Sequence, residues 1–503
     1  MVTVLILLGA VGILIWGWIR AIPDGRPGIF AWLQAVVLML PWLAFFGLFT
    51  LGIYINIAWV LALVVLSTGI YIYLGRELRA MTEAGLWPRK PAAAPAEPDA
   101  AEAAEAAAPD AAASDAAPET SEALEAPAAP PQRTSAIPAE DIAQIEEIFG
   151  VDTFFRTDTI PYQAGVFFKG NLRGDPDAAL DTLSQRLTDR FDDRYRLFLI
   201  AGPDERPSLI VLPKTTDPKP ANTAQQVLAV VLAVATLITS LETGALLQNF
   251  TLFEQFERWP EALPTALAIL AILTVHELGH RWQAQRHQIR LGPPLALPAW
   301  QIGSFGTLTR FESILPNRSV LFDIAFAGPA AGGLLSLVML VVGLVLSSPG
   351  SLYQLPVEFF QESVLVGTLA SAVLGDALKS DLVAVHPLTL MGWLGLVITA
   401  LNVMPAGRLD GGRIVQAVYG RKIAGRATAV TLVVLALVAL ANPLALYWAA
   451  LIIFLQRGEE RPSRDDITEP DDARAAMALL ILFLMLATLL PLTPSLAGRL
   501  GIG

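Results

Sequence analysis

The chain has 503 residues, 54% of them hydrophobic, with a mean hydropathy of +0.55, which excludes an ordinary water-soluble globule and is too long for one domain. Cysteine is absent, so neither a disulfide framework nor a thiolate metal site is available, and any metal must be held by N and O ligands. The formal charge of -12 is mostly local: nine acids and no base lie between Pro91 and Gln132, which implies no basic partner.

Several runs are long enough for a hydrocarbon core of about 30 Å, which takes roughly 20 apolar residues. In chain order they are Val4 to Ile19, Ile29 to Phe49, Ile53 to Leu74, Val227 to Leu247, Pro264 to Trp282, Val320 to Leu346, Leu382 to Met404 and Ala475 to Leu490. Thr428 to Phe454 is interrupted by Asn442-Pro443, so it is one kinked span or two short ones. Val357 to Leu378 has too short a clean apolar part and reads as interfacial or re-entrant. The fold class is therefore a polytopic α-helical membrane protein. Met1 leads directly into apolar residues, with no basic n-region and no Arg/Ser-rich leader, so the first span is expected to be retained.

Five regions follow: N-terminal spans at 1–80, an Ala/Pro/Glu-rich disordered tether at 88–137, a small α+β module at 138–216, a transmembrane core at 223–456, and a last span with its tail at 473–503. In the module, Ile142, Ile145, Ile148 and Phe149 recur at helical spacing, and Ala178 to Phe191 is a second amphipathic helix. Val166 to Phe168, Leu197 to Ile200 and Leu209 to Leu212 read as strands, with a turn over Gly170 to Gly174. Lys and Arg collect at Arg76 to Lys90, Lys214 to Lys219, Arg281 to Arg290, Arg408 to Arg426 and Arg457 to Arg464. They are orientation signals and not nucleic-acid sites; they place the tether and module in the cytoplasm.

His276-Glu277-Leu278-Gly279-His280 closes an apolar run, in a chain with 4 histidines. Residues i and i+4 share a helix face, so two neutral imidazoles there can hold one Zn²⁺. Glu277 stands beside them without needing to be a ligand and can take a proton from a metal-activated water. A third ligand is offered by Asn402-Val403-Met404-Pro405-Ala406-Gly407-Arg408-Leu409-Asp410-Gly411, where proline ends a helix and the glycines let Asp410 turn back toward the membrane. Asn402 puts an amide where that helix unwinds, able to hydrogen-bond an extended substrate.

The pairing of a transmembrane HExxH with a distal N-x-x-P-x-x-x-L-D-G resembles the site-2 protease family of intramembrane zinc metalloproteases. The resemblance covers about Val227 to Phe454 and implies His276, His280 and Asp410 as metal ligands and Glu277 as catalytic acid/base. Gly170-Asn171-Leu172-Arg173-Gly174 before the core, with His386-Pro387 leading the helix that ends at Asn402, is similar to the EGY branch of cyanobacteria and chloroplasts. The resemblance implies a membrane-protein substrate such as an anti-sigma factor, and the composition favours a cyanobacterial plasma or thylakoid membrane. Two other classes stay open: an inactive assembly or chaperone-like factor, and an ion transporter.

Of the remaining features, His287 reads as a solvated interface residue and His386, roughly 24 Å from Asn402 at the helical rise, as a cap or helix contact. Gly303 to Thr309 reads as a hairpin with an edge open to strand addition, or a plain re-entrant turn. Gly328-Pro329 and Gly332-Gly333 read as packing residues for close helices.

Overall fold

The computed structural model describes residues 136–503 except 163, 203–205, 441, 456–457 and 503, together with scattered positions between 17 and 78. The tether and most of the three N-terminal spans expected from the sequence thus lie outside the described residues. The chain divides into two compact units, one of residues 1–97 with 434–450 and one of 98–433 with 451–503. In the first unit, Trp18 meets Trp32 edge to face, with ring centroids 4.7 Å apart.

The second unit begins with the α+β module. Helix α1 (Ala139–Glu146) leads into strands β1 (Phe154–Tyr162) and β2 (Gly165–Leu172), helix α2 (Pro176–Phe191), and strands β3 (Tyr195–Ala201) and β4 (Pro207–Pro213). The sheet is antiparallel in the order β1-β2-β4-β3. Asp175 caps α2 by accepting from Ala178 N, and Leu180, Leu183, Leu187 and Phe191 then bury one stripe against Phe168, Leu199, Leu209 and Val211. Each such side chain contributes about 1.5–3 kcal/mol by leaving water. The opposite sheet face buries Phe167, Phe198, Ile200 and Ile210 with Ile314 of a core loop against them. β1 is absent from the sequence reading because its burial is end-weighted, with Phe155 to Asp158 exposed. The supposed turn at Gly170 to Gly174 also begins too early, since Gly170 and Asn171 are paired in β2 opposite Arg156 and Phe155.

Among the described residues, four helices are long and apolar enough to cross a membrane: α3 (Thr223–Leu246), α4 (Trp259–Arg286), α5 (Arg318–Leu346) and, after others, Asp472–Leu489. Between α4 and α5 lies a hairpin of β5 (Leu295–Ala299) and β6 (Gly303–Leu308). After α5 come β7 (Tyr353–Pro356), α6 (Val364–Leu374), β8 (Leu382–Val385) and α7 (Pro387–Asn402). The 11-residue α6 is too short to cross a bilayer by itself. The sequence-based span at Leu382 to Met404 is corrected: Leu382–Val385 pairs with Tyr353–Pro356 as a strand, and His386 caps a helix of only 16 residues. At 1.5 Å per residue that helix is about 24 Å long, so its C-terminal end unwinds short of a full crossing. Irregular backbone at such depth survives only where neighbours cover it.

The chain continues through α8 (Asp410–Tyr419), α9 (Arg421–Val438) and α10 (Pro443–Leu455), the last two separated at Asn442, then α11 (Asp472–Leu489) and α12 (Pro494–Arg499). The Asn442-Pro443 interruption therefore divides two helices.

Candidate active site

Helix α4 sets the site. Its buried stripe, Ala262, Ala266, Ile269, Leu273, His276, His280 and Ala284, recurs at three- and four-residue steps, with Glu277 buried beside it, so the two imidazoles face α5. Gly279 brings the helices together, since a Cβ there would stand 2.5 Å from the Ala327 carbonyl oxygen of α5. Opposite, Gly328 leaves the space that the His280 ring fills: a Cβ would lie 2.2 Å from its Nε2. Gly332 stands against His276 in the same way. The sequence marked these glycines as packing residues, and the packing they permit is against the two imidazoles.

Asp410 arrives from the other direction. Val403 to Leu409 turns sharply, with Gly407 at φ 51°, and Asp410 opens α8 with its carboxylate in the first turn. His276 Nε2 then lies 3.1 Å from Asp410 Oδ2 and 3.1 Å from His280 Nε2, and His280 Nε2 lies 3.4 Å from Asp410 Oδ2. Tetrahedral Zn²⁺ with bonds of about 2.0–2.1 Å separates its ligand atoms by about 3.3 Å, so this triangle has the size that one such ion requires. The donor set fits too: two imidazoles and a carboxylate, all under 9% exposed. His280 Nδ1 is 2.7 Å from the Ile324 carbonyl, which fixes the proton on Nδ1 and leaves Nε2 for the ion.

Glu277 lies beside the triangle, 8% exposed. Thr309 Oγ donates to its Oε2 at 2.7 Å, and Arg281 Nε lies 2.7 Å from its Oε1. Asn402 is 1% exposed, and its Nδ2 donates to Phe305 O in β6 at 2.9 Å and to Ile398 O at 2.8 Å. Its amide nitrogen thus ties the hairpin to α7. A Cβ at Gly306, where φ is 114°, would overlap that amide. His287 lies outside the site, 3.4 Å from Asp323, whose carboxylate also receives Arg474 at 2.7 and 2.8 Å. His386 accepts from Leu388 N at the start of α7, a cap as expected.

Sequence reasoning missed a buried polar layer beneath the site. Arg413, 6% exposed, donates from Nη2 to Thr309 O at 2.8 Å and from Nε to Glu460 Oε2 at 2.9 Å, with Phe311 stacked on its guanidinium. Burial presses the Glu460 carboxyl upward, but the Arg413 and Arg408 guanidiniums overcome it and hold the group below its usual range. The signal for Arg413 was its position one turn into the Asp410 helix. Glu460 carried no local signal, because its partner is far away in sequence.

Residues 143–220 match the EGY3 middle domain, and residues 264–441 match peptidase family M50. The probable zinc metalloprotease EGY2, chloroplastic, of Arabidopsis thaliana is 41% identical over 69% of this chain and 63% of its own length. Its Oryza sativa subsp. japonica counterpart is 41% identical over 69% of this chain and 65% of that protein. The chain therefore spans a little under two thirds of these relatives. The probable zinc metalloprotease EGY1, chloroplastic, of Arabidopsis thaliana is 36% identical over 71% of this chain and 72% of its own length. No solved structure matches significantly. With the HExxH helix, the distal Asp410 turn and the preceding module all inside the matched residues, the chain belongs to peptidase family M50, the site-2 protease family, in its EGY branch.

Proposed function

We propose that the chain is an intramembrane zinc endopeptidase that hydrolyses peptide bonds in or near transmembrane segments of membrane-protein substrates. The carrying observation is the His276–His280–Asp410 triangle, sized for one ion and buried among apolar helices, with Glu277 at its side. His276, His280 and Asp410 would hold the ion. Zn²⁺ supplies Lewis-acid polarisation of the scissile carbonyl and the attacking water. Glu277 takes the water proton as its oxygen attacks the carbonyl carbon, then hands that proton to the departing amine nitrogen as the C–N bond breaks. The two-stranded β5–β6 hairpin offers an edge on which an unwound substrate segment adds as a further strand, and Asn402 holds that hairpin at the depth of the site.

The Lys/Arg distribution supports a cytoplasmic α+β module in a multi-pass protein. The names of the chloroplastic relatives support a photosynthetic membrane, of which the cyanobacterial plasma or thylakoid membrane is the form proposed here, and an anti-sigma factor is the proposed kind of substrate.

Glu277→Gln tests the chemistry. Zinc should stay bound while cleavage of a single-span reporter in proteoliposomes falls by about 10² to 10⁴ or more. A variant that keeps zinc and cuts at the wild-type rate would end this reading in favour of an assembly factor or transporter.

A further inference from the structure

Base catalysis needs Glu277 aimed as well as present, and a carboxylate on a helix surface can rotate about its side-chain bonds. Two groups of the described residues hold it. Thr309 forms an aligned hydrogen bond to Oε2 at 2.7 Å. Arg281 is close to Oε1 but out of line, so Oε1 has no aligned hydrogen-bond partner and remains the oxygen able to accept a proton.

Thr309 is itself fixed from below. It follows β6, and its carbonyl receives Arg413 Nη2 at 2.8 Å. Arg413 is locked on Glu460 Oε2 by Nε at 2.9 Å and Nη2 at 2.7 Å. Glu460 is in turn clamped through its backbone: its N–H donates to Gln416 Oε1 at 2.9 Å, and Gln416 Nε2 donates to its carbonyl at 3.0 Å. Thr309, Arg413, Gln416 and Glu460 are all at most 7% exposed, so each broken link would strand a buried polar group.

The segment carrying Glu460 runs on between the module and the core. Leu199 N–H of β3 donates to Arg464 O at 2.8 Å, and Asp466 N–H donates back to Leu199 O at 2.9 Å. On its other side, Arg464 N–H donates to Leu315 O at 2.8 Å and Asp465 N–H to Pro316 O at 2.9 Å. One short segment thus bridges the edge of the module sheet and the loop before α5, and Glu460, the carboxylate that holds Arg413, lies just upstream of it.

From this we infer that Thr309 is a positioning residue for Glu277, and that the Glu460–Arg413 pair transmits the seating of the module's β3 edge to Thr309. The module then helps to set the catalytic geometry, although it supplies none of the three clustered residues itself. The inference rests on Glu277 acting as the base.

The test uses the full chain in proteoliposomes with a single-span reporter peptide that the wild type cuts, measuring kcat, KM and bound zinc. Thr309→Val, which keeps shape and loses the hydroxyl, should lower kcat about 10- to 100-fold, the usual worth of a hydrogen bond to a charged group, with KM and zinc content unchanged. Thr309→Ser should recover most of that loss. Glu460→Gln should lower kcat in the same direction, and the Thr309→Val/Glu460→Gln double variant should be no worse than Thr309→Val alone, because both act through one contact. Wild-type kcat in Thr309→Val beside an inert Glu277→Gln would overturn this inference and leave the protease reading standing. Equal damage from Val and Ser, loss of zinc, or full additivity in the double variant would also overturn it. Activity in Glu277→Gln would remove both.

Discussion

Gly328→Ala is a one-carbon change that should strip the site of its ion. The added Cβ would sit 2.2 Å from His280 Nε2 and 2.5 Å from both neighbouring ring carbons. Ordinary contacts are about 3.5–4.0 Å, so the ring must retreat by more than about 1 Å. Parting the helices to make room would undo the close contact that Gly279 makes with the Ala327 carbonyl of α5, so the ring is the part that yields. His280 must therefore rotate, breaking its Nδ1 contact to Ile324 O and carrying Nε2 out of the triangle. Metal sites tolerate ligand displacements of only about 0.2 Å, and disturbing even an outer hydrogen bond costs 10- to 100-fold in affinity. A displaced ligand should cost at least about 100-fold. The assay is zinc per chain after gel filtration, followed by competition with a chelator of known affinity. Gly333→Ala on the same helix is the control: its Cβ would meet only the Thr399 methyl at 3.3 Å, and zinc should be retained. Wild-type zinc affinity in Gly328→Ala would refute the reasoning.

Two further outcomes are expected. Asp410→Asn should keep the fold and lose zinc partially, since an amide oxygen is an uncharged and poorer ligand than a carboxylate; unchanged affinity measured by the same competition would exclude Asp410 from the ligand set. A single cysteine at Ala113, in a chain with none of its own, should resist an impermeant thiol reagent applied outside intact cells, and labelling there would reverse the proposed orientation.

The cluster of His276, His280 and Asp410 was legible because each residue sits in a local pattern whose geometry is fixed. His276 and His280 are one turn apart on a helix, and Asp410 follows a proline and a glycine that force the turn. The long spans were legible for the same reason, as length and apolarity alone identify α3, α4, α5 and α11. What failed was local pattern contradicted by distant partners. Leu382–Val385 looked like the start of a span because it is apolar, yet its backbone is taken by Tyr353–Pro356, far back in the chain. Asn402 stands where a helix ends, as the sequence indicates, but the sequence does not show that its amide nitrogen ties that end to Phe305 O of β6.

The same physics explains why Glu460 stayed hidden while Glu277 did not. A buried carboxylate is costly unless paired, so its presence inside the protein always implies a partner, but sequence shows the partner only when both lie on one element. Glu277 and its neighbours share α4; Glu460 finds Arg413 across three intervening stretches of chain. Its loop reads from the sequence as one of the basic orientation clusters, Arg457 to Arg464, whereas in the fold Glu459 pairs with Arg421 and Arg464 with Asp181. Burial of this one acid against Arg413, whose Nη1 also stands 4.0 Å from Asp410 Oδ1 and whose Nη2 donates to Thr309 O, ties the connector to both the Asp410 and the Thr309 sides of the site.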